Sequence, residues 1–331
     1  MSKHTDWMAL HAILAQEIDA YLAGLAARSP ELHSYALADV GQIPEMRDTY
    51  LDRMEIPHAK LFAGTKEHKI AKYGPMLIPL DSNANSSQLP VSQLLHGMQY
   101  GWTVSWLTSP LGLEELSKHL AGHFNGVLDD GREVLIRYYD PRNLAPFLEN
   151  IDGNTKIALL TPIKQWSYWD RDLVLQTVSG LGLSDVAGIQ NTEIARVIQE
   201  EIANAAIPDL IMSKLLIDSD SNAFNDWLPH TLYRAIAHLT SEARQYGLRD
   251  FVDIYLFISL ALTVHPEFHR VIPKFLTEQK NVINRTTMMM DMVLDIEDDE
   301  WNKASDDGES ARTSLYQKFY KNLITKKSIG S

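Results

Sequence analysis

Cysteine is missing from the sequence altogether. Without cysteine the chain can form no disulfide, present no thiolate nucleophile and hold no cysteine-ligated zinc or iron–sulfur cluster. Long apolar runs are missing too, because the longest, residues 254–264, is about half of what a membrane-spanning helix needs. Residues 1–25 lack the basic and then continuously apolar segments of a signal peptide. We therefore expect a cytoplasmic protein with no membrane partner.

Basic residues are fewer than acidic residues in this sequence. The 331 residues contain 30 Lys and Arg against 43 Asp and Glu, which gives a formal net charge of -13. Because a net negative charge of this size repels polyanions such as DNA and RNA, we expect no nucleic-acid partner. Hydrophobic residues make up 45% of the chain, which is enough to build a core and argues against disorder. The length predicts about two domains.

Strand and helix patterns alternate in the first half of the chain. Apolar spacings of three and four predict a helix over residues 7–25, and Ser109 followed by Pro110 predicts the start of another. Short helices are predicted at residues 46–54, 90–97 and 143–149. Runs rich in apolar, β-branched and aromatic residues predict strands at residues 32–39, 60–64, 74–80, 102–108, 133–139 and 157–163.

Strand patterns stop near residue 180, and helical periodicity prevails beyond it. We therefore predict an α+β protein. Its N-terminal mixed α/β domain, residues 1–180, has a small sheet flanked by helices. Its C-terminal domain, residues 181–331, is all-helical and carries an acidic segment at residues 295–309.

No motif predicts catalysis. The Gly-Leu-Gly at residues 180–182 lacks the third glycine of a dinucleotide loop. His265 and His269 are four residues apart, so a helix would place both on one face, as a metal pair requires. The residues between them do not match the helical zinc-protease motif, and two surface histidines are the simpler interpretation. We expect no catalytic residue, no metal and no cofactor.

The most unusual cluster is Arg-Tyr-Tyr-Asp-Pro-Arg at residues 137–142. If residues 133–139 form a strand, Arg137 and Tyr139 lie on one face and Tyr138 on the other. An Asp before Pro, as at Asp140, is typical of a turn or a helix cap. Two interpretations remain open. Arg137 forms an internal ion pair with Asp140 or Asp170, or the cluster forms an edge that binds a peptide or protein.

Residues 135–142 resemble the signature of the bacterial type VI secretion effector chaperones, also called adaptors of the Tap or Tec type. Further segments resemble that family in the family's own order, across about residues 32–170: they are 34–39, 61–65, 74–78, 106–120 and 160–166. The resemblance implies a protein that binds a cognate toxic effector in the cytoplasm. It would help to load that effector onto the spike protein, which carries valine–glycine repeats, or onto the tip protein. It implies no enzymatic activity.

The resemblance and the cluster together predict partner-binding residues: Arg137, Tyr138, Tyr139, Asp140, Arg142, Trp166, Tyr168 and Trp169. The last three are either exposed anchors for a partner or a cap on the core of the sheet. A rival hypothesis is a hydrolase that uses the carboxylates of Asp140 and Asp170. Another is a general structural component of the secretion machine.

Overall fold

The computed structural model describes residues 3–43, 51, 55–80, 102–184, 192–194, 196–218, 224, 227–283 and 288–329. The chain divides into two compact units, residues 1–202, here the sheet unit, and residues 203–331, here the helical unit. The helices predicted at 46–54 and 90–97 lie outside the described residues, apart from residue 51. The domain boundary at residue 180 stays a prediction, and the α+β class is confirmed.

An antiparallel six-stranded sheet forms the centre of the sheet unit, in the order β2-β3-β1-β4-β7-β8. Its strands are β1 (His33–Asp39), β2 (Ala59–Lys60), β3 (Pro75–Pro79), β4 (Val104–Ser109), β7 (Gln165–Trp169) and β8 (Leu175–Ser179). Every residue of β4 is buried, because the strand lies inside the sheet with both faces covered. The strands predicted at 32–39, 74–80 and 102–108 are confirmed within one or two residues at each end.

Helices pack on the sheet. The sheet unit contains α1 (Lys3–Arg28), α2 (Leu113–Ala121), α3 (Pro141–Asn150), α4 (Gly153–Leu160) and residues 196–202 of α5 (Arg196–Ala205). α1 contacts one face, where Tyr21 donates to Gln165 and accepts from Ser167. The main hydrophobic core lies on the other face, where side chains of α2, α3 and α4 meet Leu107 and Trp166.

A second sheet of three strands completes this unit, in the order β6-β5-β9. β5 (Asn125–Leu128) pairs antiparallel with β6 (Glu133–Leu135) and parallel with β9 (Thr192–Ile194). The expectation that strands stop near residue 180 is therefore wrong for β9. Three residues are too few for a periodic pattern, so only the pairing with β5 defines this strand.

Four local predictions in the sheet unit are wrong. Of the strand predicted at 60–64, only Lys60 lies in a strand, β2, and residues 61–64 form a turn. The strand predicted at 133–139 ends at Leu135, because the chain turns there and the Asp140 N–H bonds the Arg137 carbonyl oxygen. The predicted strand 157–163 is mostly helix α4, which Asp152 caps by accepting from two backbone N–H groups. Ser109 caps no helix: its hydroxyl accepts from the Leu111 N–H, and α2 begins four residues later.

Helices alone were found among the described residues of the helical unit: α6 (Ile207–Asp218), α7 (Pro229–Tyr246), α8 (Phe251–Thr263), α9 (Phe268–Val271), α10 (Pro273–Ile283), α11 (Met289–Leu294), α12 (Asp298–Asp306) and α13 (Gly308–Ile329). Gly247 ends α7 at φ 115°, a left-handed conformation that glycine adopts without strain. Among the described helices, none combines the length and the apolar character that a membrane crossing requires.

Candidate functional site

Two aspartates and two arginines meet where β1 ends and α3 begins. We call Asp39, Gln42, Arg137, Asp140 and Arg142 the arginine–aspartate cluster. Nη2 of Arg137 lies 2.9 Å from Oδ2 of Asp39 and 3.9 Å from Oδ2 of Asp140. The Gln42 amide donates to Asp39 at 2.7 Å, and its oxygen accepts from Arg142 at 3.1 Å. The cluster thus ties β1 to the start of α3, and the internal ion pair with Asp140 is confirmed.

Asp140 is the N-cap of α3, with Pro141 at the first helical position. Its Oδ1 accepts from the backbone N–H of Arg142 at 3.0 Å and from Nε of the same residue at 2.8 Å. Its Oδ2 accepts from Nη2 of Arg142 at 2.6 Å. The guanidinium fork therefore grips both carboxylate oxygens, the strongest arrangement for this kind of pair. The predicted helix cap is confirmed.

Arg137 is the exposed member of the cluster. Its side chain is 46% exposed, whereas those of Asp39 and Asp140 are 4% and 3% exposed. Burial lowers the pKa of Arg137, but the nearby Tyr139, Asp39 and Asp140 outweigh burial, and its pKa is raised. Arg137 therefore presents a permanent positive charge at the surface of an acidic protein, and buried carboxylates hold it in place.

The two tyrosines of the cluster segment are core residues. The Tyr138 hydroxyl donates to the Leu120 carbonyl oxygen, and burial raises its pKa well above the usual value. Tyr139 packs edge-on against Phe62 and Phe124, and burial raises its pKa to about 12. The expectation that Tyr138 and Tyr139 lie on opposite faces of a strand is wrong, because the strand has already ended and both rings are buried.

The three aromatic residues of β7 are buried as well. Trp166 is 0%, Trp169 is 1% and Tyr168 is 6% exposed. The Trp166 indole donates to the Ser105 hydroxyl at 2.9 Å. Trp169 meets Trp106 edge-on at 4.6 Å on the opposite face of the sheet. The interpretation of these three as exposed anchors is wrong, because their rings fill the space between the sheet and its covering helices.

An apolar groove lies beside Arg137, with a volume of about 370 Å³. Its apolar wall comes from β5, β6, α3 and α5, and its polar groups are Arg137, Asn143 and Gln199. We call it the Arg137 groove. The apolar lining residues are Leu128, Val134, Leu135, Ile136, Phe147 and Ile202, and Tyr138 lines the groove as well. Such a mixture of an apolar wall and a few polar groups is typical of a binding pocket.

Residues proposed for metal or hydrolytic chemistry have other partners. Nδ1 of His265 accepts from the Glu267 N–H at 3.0 Å, whereas His269 is buried between Tyr246 and Phe257. The prediction of two surface histidines is thus wrong for His269. Asp170 accepts two hydrogen bonds from the turn that follows it and a third from the Gln176 side chain of β8. In the part of the chain that the structure describes, no group of three His, Asp or Glu could hold a metal ion.

Sequence reasoning did not single out Asp39, Gln42 or the wall of the Arg137 groove. Asp39 carried one usable signal, since it is a carboxylate at the end of an apolar strand and needs a partner once buried. Gln199 and Ile202 carried none, because they line the groove from α5, more than 60 residues after Arg137.

Residues 34–156 match a protein family described as a domain of unknown function, DUF4123. The match runs from β1 into α4 and includes the arginine–aspartate cluster. That family is associated with type VI secretion effector adaptors. The search of curated proteins found no match, and neither did the search of solved structures.

Proposed function

We propose that this protein is an adaptor of type VI secretion. In this proposal it binds one toxic effector in the cytoplasm and helps to load it onto the spike or tip protein. The DUF4123 match over residues 34–156 carries the proposal, because that family is associated with such adaptors. The residues that resemble the adaptor signature, 135–142, lie inside the matched segment.

The Arg137 groove is the surface that best fits this role. Its apolar wall offers burial for a few side chains of an incoming segment, worth roughly 25 cal/mol per Å² of apolar surface covered. Arg137 at its margin can donate to a carboxylate or a carbonyl oxygen of that segment. The buried carboxylates of Asp39 and Asp140 hold Arg137, so little side-chain entropy is lost on binding.

We further propose that the protein acts by binding and has no catalytic activity. Both carboxylates of the rival hydrolase hypothesis are engaged within the fold, Asp140 with Arg142 and Asp170 within its turn. A carboxylate that caps a helix and grips a guanidinium is poorly placed to exchange protons with a substrate.

Substitution in the groove tests the adaptor role. Leu135 lines the groove and is 36% exposed, so Leu135→Glu places a charge in the groove with little effect on folding. Ile157→Glu is the matched control, because Ile157 is 59% exposed, lies in the same unit and does not line the groove. The measurement is affinity for the effector and spike proteins encoded beside the gene.

We expect Leu135→Glu to weaken effector binding at least tenfold and Ile157→Glu to leave it unchanged. If the wild-type protein binds neither neighbour-encoded protein, and deletion of the gene leaves effector delivery intact, the adaptor role is lost. If binding survives Leu135→Glu, the adaptor role stands but the groove is not its site. A requirement for delivery of every effector would favour a general structural component instead.

A further inference from the structure

Strand β8, Leu175–Ser179, is the last strand of the six-stranded sheet. It pairs with β7 on one side, from Gln165 opposite Ser179 to Trp169 opposite Leu175. No strand of the described chain pairs with its other side. An edge of this kind presents a row of backbone N–H and C=O groups that another strand can bind.

The register shows which backbone groups of β8 face outward. Hydrogen bonds join residue 180 to residue 164 just beyond one end of β8, and residue 170 to residue 174 at the other. Bonded and non-bonded pairs alternate in an antiparallel ladder, so residues 176 and 178 also bond β7. The N–H and C=O groups of Leu175, Thr177 and Ser179 therefore point away from the sheet. Among the described residues, no backbone hydrogen bond reaches them.

Charge and proline, two features that often protect an edge strand, are both absent from this edge. Residues 173–183 contain no charged residue and no proline, in a chain where 22% of residues are charged. Lysine, proline and inward-pointing charges are the usual means of keeping other strands away. The flanks are apolar as well, since Val174, Leu181 and Leu183 are 41%, 55% and 51% exposed.

Hydrogen bonds hold both ends of β8 in the free protein. Oδ1 of Asp170 accepts from the N–H groups of residues 172 and 174, and Oδ2 accepts from the Gln176 amide, which fixes the turn into β8. After β8, the N–H groups of Gly182 and Leu183 donate to the carbonyl oxygens of Ile163 and Thr161. A preformed edge loses little entropy when a strand adds to it.

We propose that β8 binds an extended, uncharged segment of the effector as a seventh strand of the sheet. The inference rests on the proposed adaptor function and adds a second binding surface to the Arg137 groove. The outward backbone groups select an extended conformation, and the absence of charge on residues 173–183 selects uncharged side chains. A second copy of this chain is disfavoured as the occupant, because two chains of net charge -13 repel each other.

Amide hydrogen exchange at single-residue resolution tests the pairing directly. In the free protein, the amides of residues 176 and 178 should exchange slowly and those of Leu175, Thr177 and Ser179 fast. In the complex with the neighbour-encoded effector, these three should slow at least tenfold. Slow exchange at all three in the free monomer would overturn the proposal, because the chain itself would already cover the edge.

Two variants of Thr177 isolate the contribution of its backbone N–H to effector binding. Thr177→Pro removes an outward N–H and leaves the bonds to β7, at a kind of position where edge strands tolerate proline. Thr177→Ala keeps that N–H and is the matched control. We expect Thr177→Pro to weaken effector binding at least tenfold and Thr177→Ala to leave it within twofold of wild type. Leu181→Lys is the second test should the proline variant not fold, with the same tenfold loss expected.

The outcomes separate this inference from the adaptor function. Wild-type binding that survives both Thr177→Pro and Leu181→Lys overturns the strand addition and leaves the adaptor function standing. No effector binding by the wild-type protein overturns both. A concentration-dependent dimer that Thr177→Pro abolishes overturns the proposed occupant, because the edge would then pair with a second copy.

Discussion

Arg137 in the sheet unit pairs with the carboxylate of Asp39, 98 positions away, whereas Arg270 in the helical unit lies 3.1 Å from Glu267, three positions away, and 3.6 Å from Glu242. The Arg137 contact joins separate elements around a buried carboxylate, and the Arg270–Glu267 pair lies at the surface. The helical unit packs aromatic side chains together, as where Phe268 meets Phe257 and Phe275. The contrast predicts that the sheet unit depends on particular polar pairs and the helical unit on apolar packing.

The largest effect should come from removing the buried cap in the sheet unit. Asp140→Ala deletes the N-cap of α3 and leaves the largely buried guanidinium of Arg142 without its carboxylate. Loss of one partner of a buried pair costs about 3–5 kcal/mol of unfolding free energy. Asp140→Asn keeps a capping side chain and should lose less. Urea denaturation measures both, and a loss below about 1 kcal/mol for the alanine variant would contradict the contrast.

Acid should weaken the helical unit through a buried imidazole. Burial lowers the pKa of His269 from 6.5 to about 4. Between pH 6.5 and pH 4, His269 is therefore protonated in the unfolded chain but not in the folded protein. The stability present above pH 6.5 is lost as the pH falls towards 4. The loss is about 3 kcal/mol over that interval, at about 1.4 kcal/mol per pKa unit.

His269→Phe should reduce the loss of stability between pH 6.5 and pH 4, because phenylalanine does not titrate. The neighbours Tyr246, Phe257 and Phe268 are aromatic, so a phenylalanine ring suits the site. Calorimetric melting temperatures between pH 8 and pH 4 measure the slope. His123→Phe in the sheet unit is the counterpart, since burial and then His119 lower the pKa of His123 to about 4. If the slope of melting temperature against pH is unchanged in either variant, another group is responsible for the acid sensitivity of that unit.

The smallest effect expected is that of Arg137→Ala. It leaves the buried carboxylate of Asp39 with the Gln42 amide as its remaining side-chain donor among the described residues. Because Arg137 is 46% exposed and water screens the pair, the loss should be about 1–2 kcal/mol. Arg132→Ala is the control, since its pair with Asp130 is exposed on both sides. If Arg137→Ala melts at the same temperature as the wild type but no longer binds the effector, Arg137 contributes to binding and not to stability.

Sequence patterns predicted the helical unit better than the sheet unit. The helical periodicity beyond residue 180 was enough to predict helices there, such as α7, because a helix satisfies its own backbone hydrogen bonds. The apolar run at 157–163 fits a strand or a helix equally well by composition, and the Asp152 cap decides for helix α4. Residues 136–139 look like a strand, but Tyr138 and Tyr139 are both core residues and the Tyr138 hydroxyl bonds the Leu120 carbonyl oxygen, while Arg137 between Ile136 and Tyr138 is exposed.

The candidate site was predictable in part. Residues 137–142 stood out because charged and aromatic residues cluster there, and the capping role of Asp140 followed from the proline after it. Asp39, the main partner of Arg137, could not be found by spacing, since nothing local links positions 98 residues apart. The burial of the β7 aromatics depends on which faces the helices cover, which is a property of the whole unit.

The parallel pairing of β5 with β9 constrains how the protein folds during synthesis. Gly126 lies opposite Thr192, so 66 residues separate the two partners (192 − 126). β7, β8 and β9 all follow residue 156, where the family match ends. Until those residues leave the ribosome, β4 is an edge strand, and Trp106 and Leu107 lack β7 beside them. Contacts of such long range form slowly, so we expect the nascent chain to be prone to aggregation until β7 and β9 have paired, and a chain cut after residue 156 to remain so.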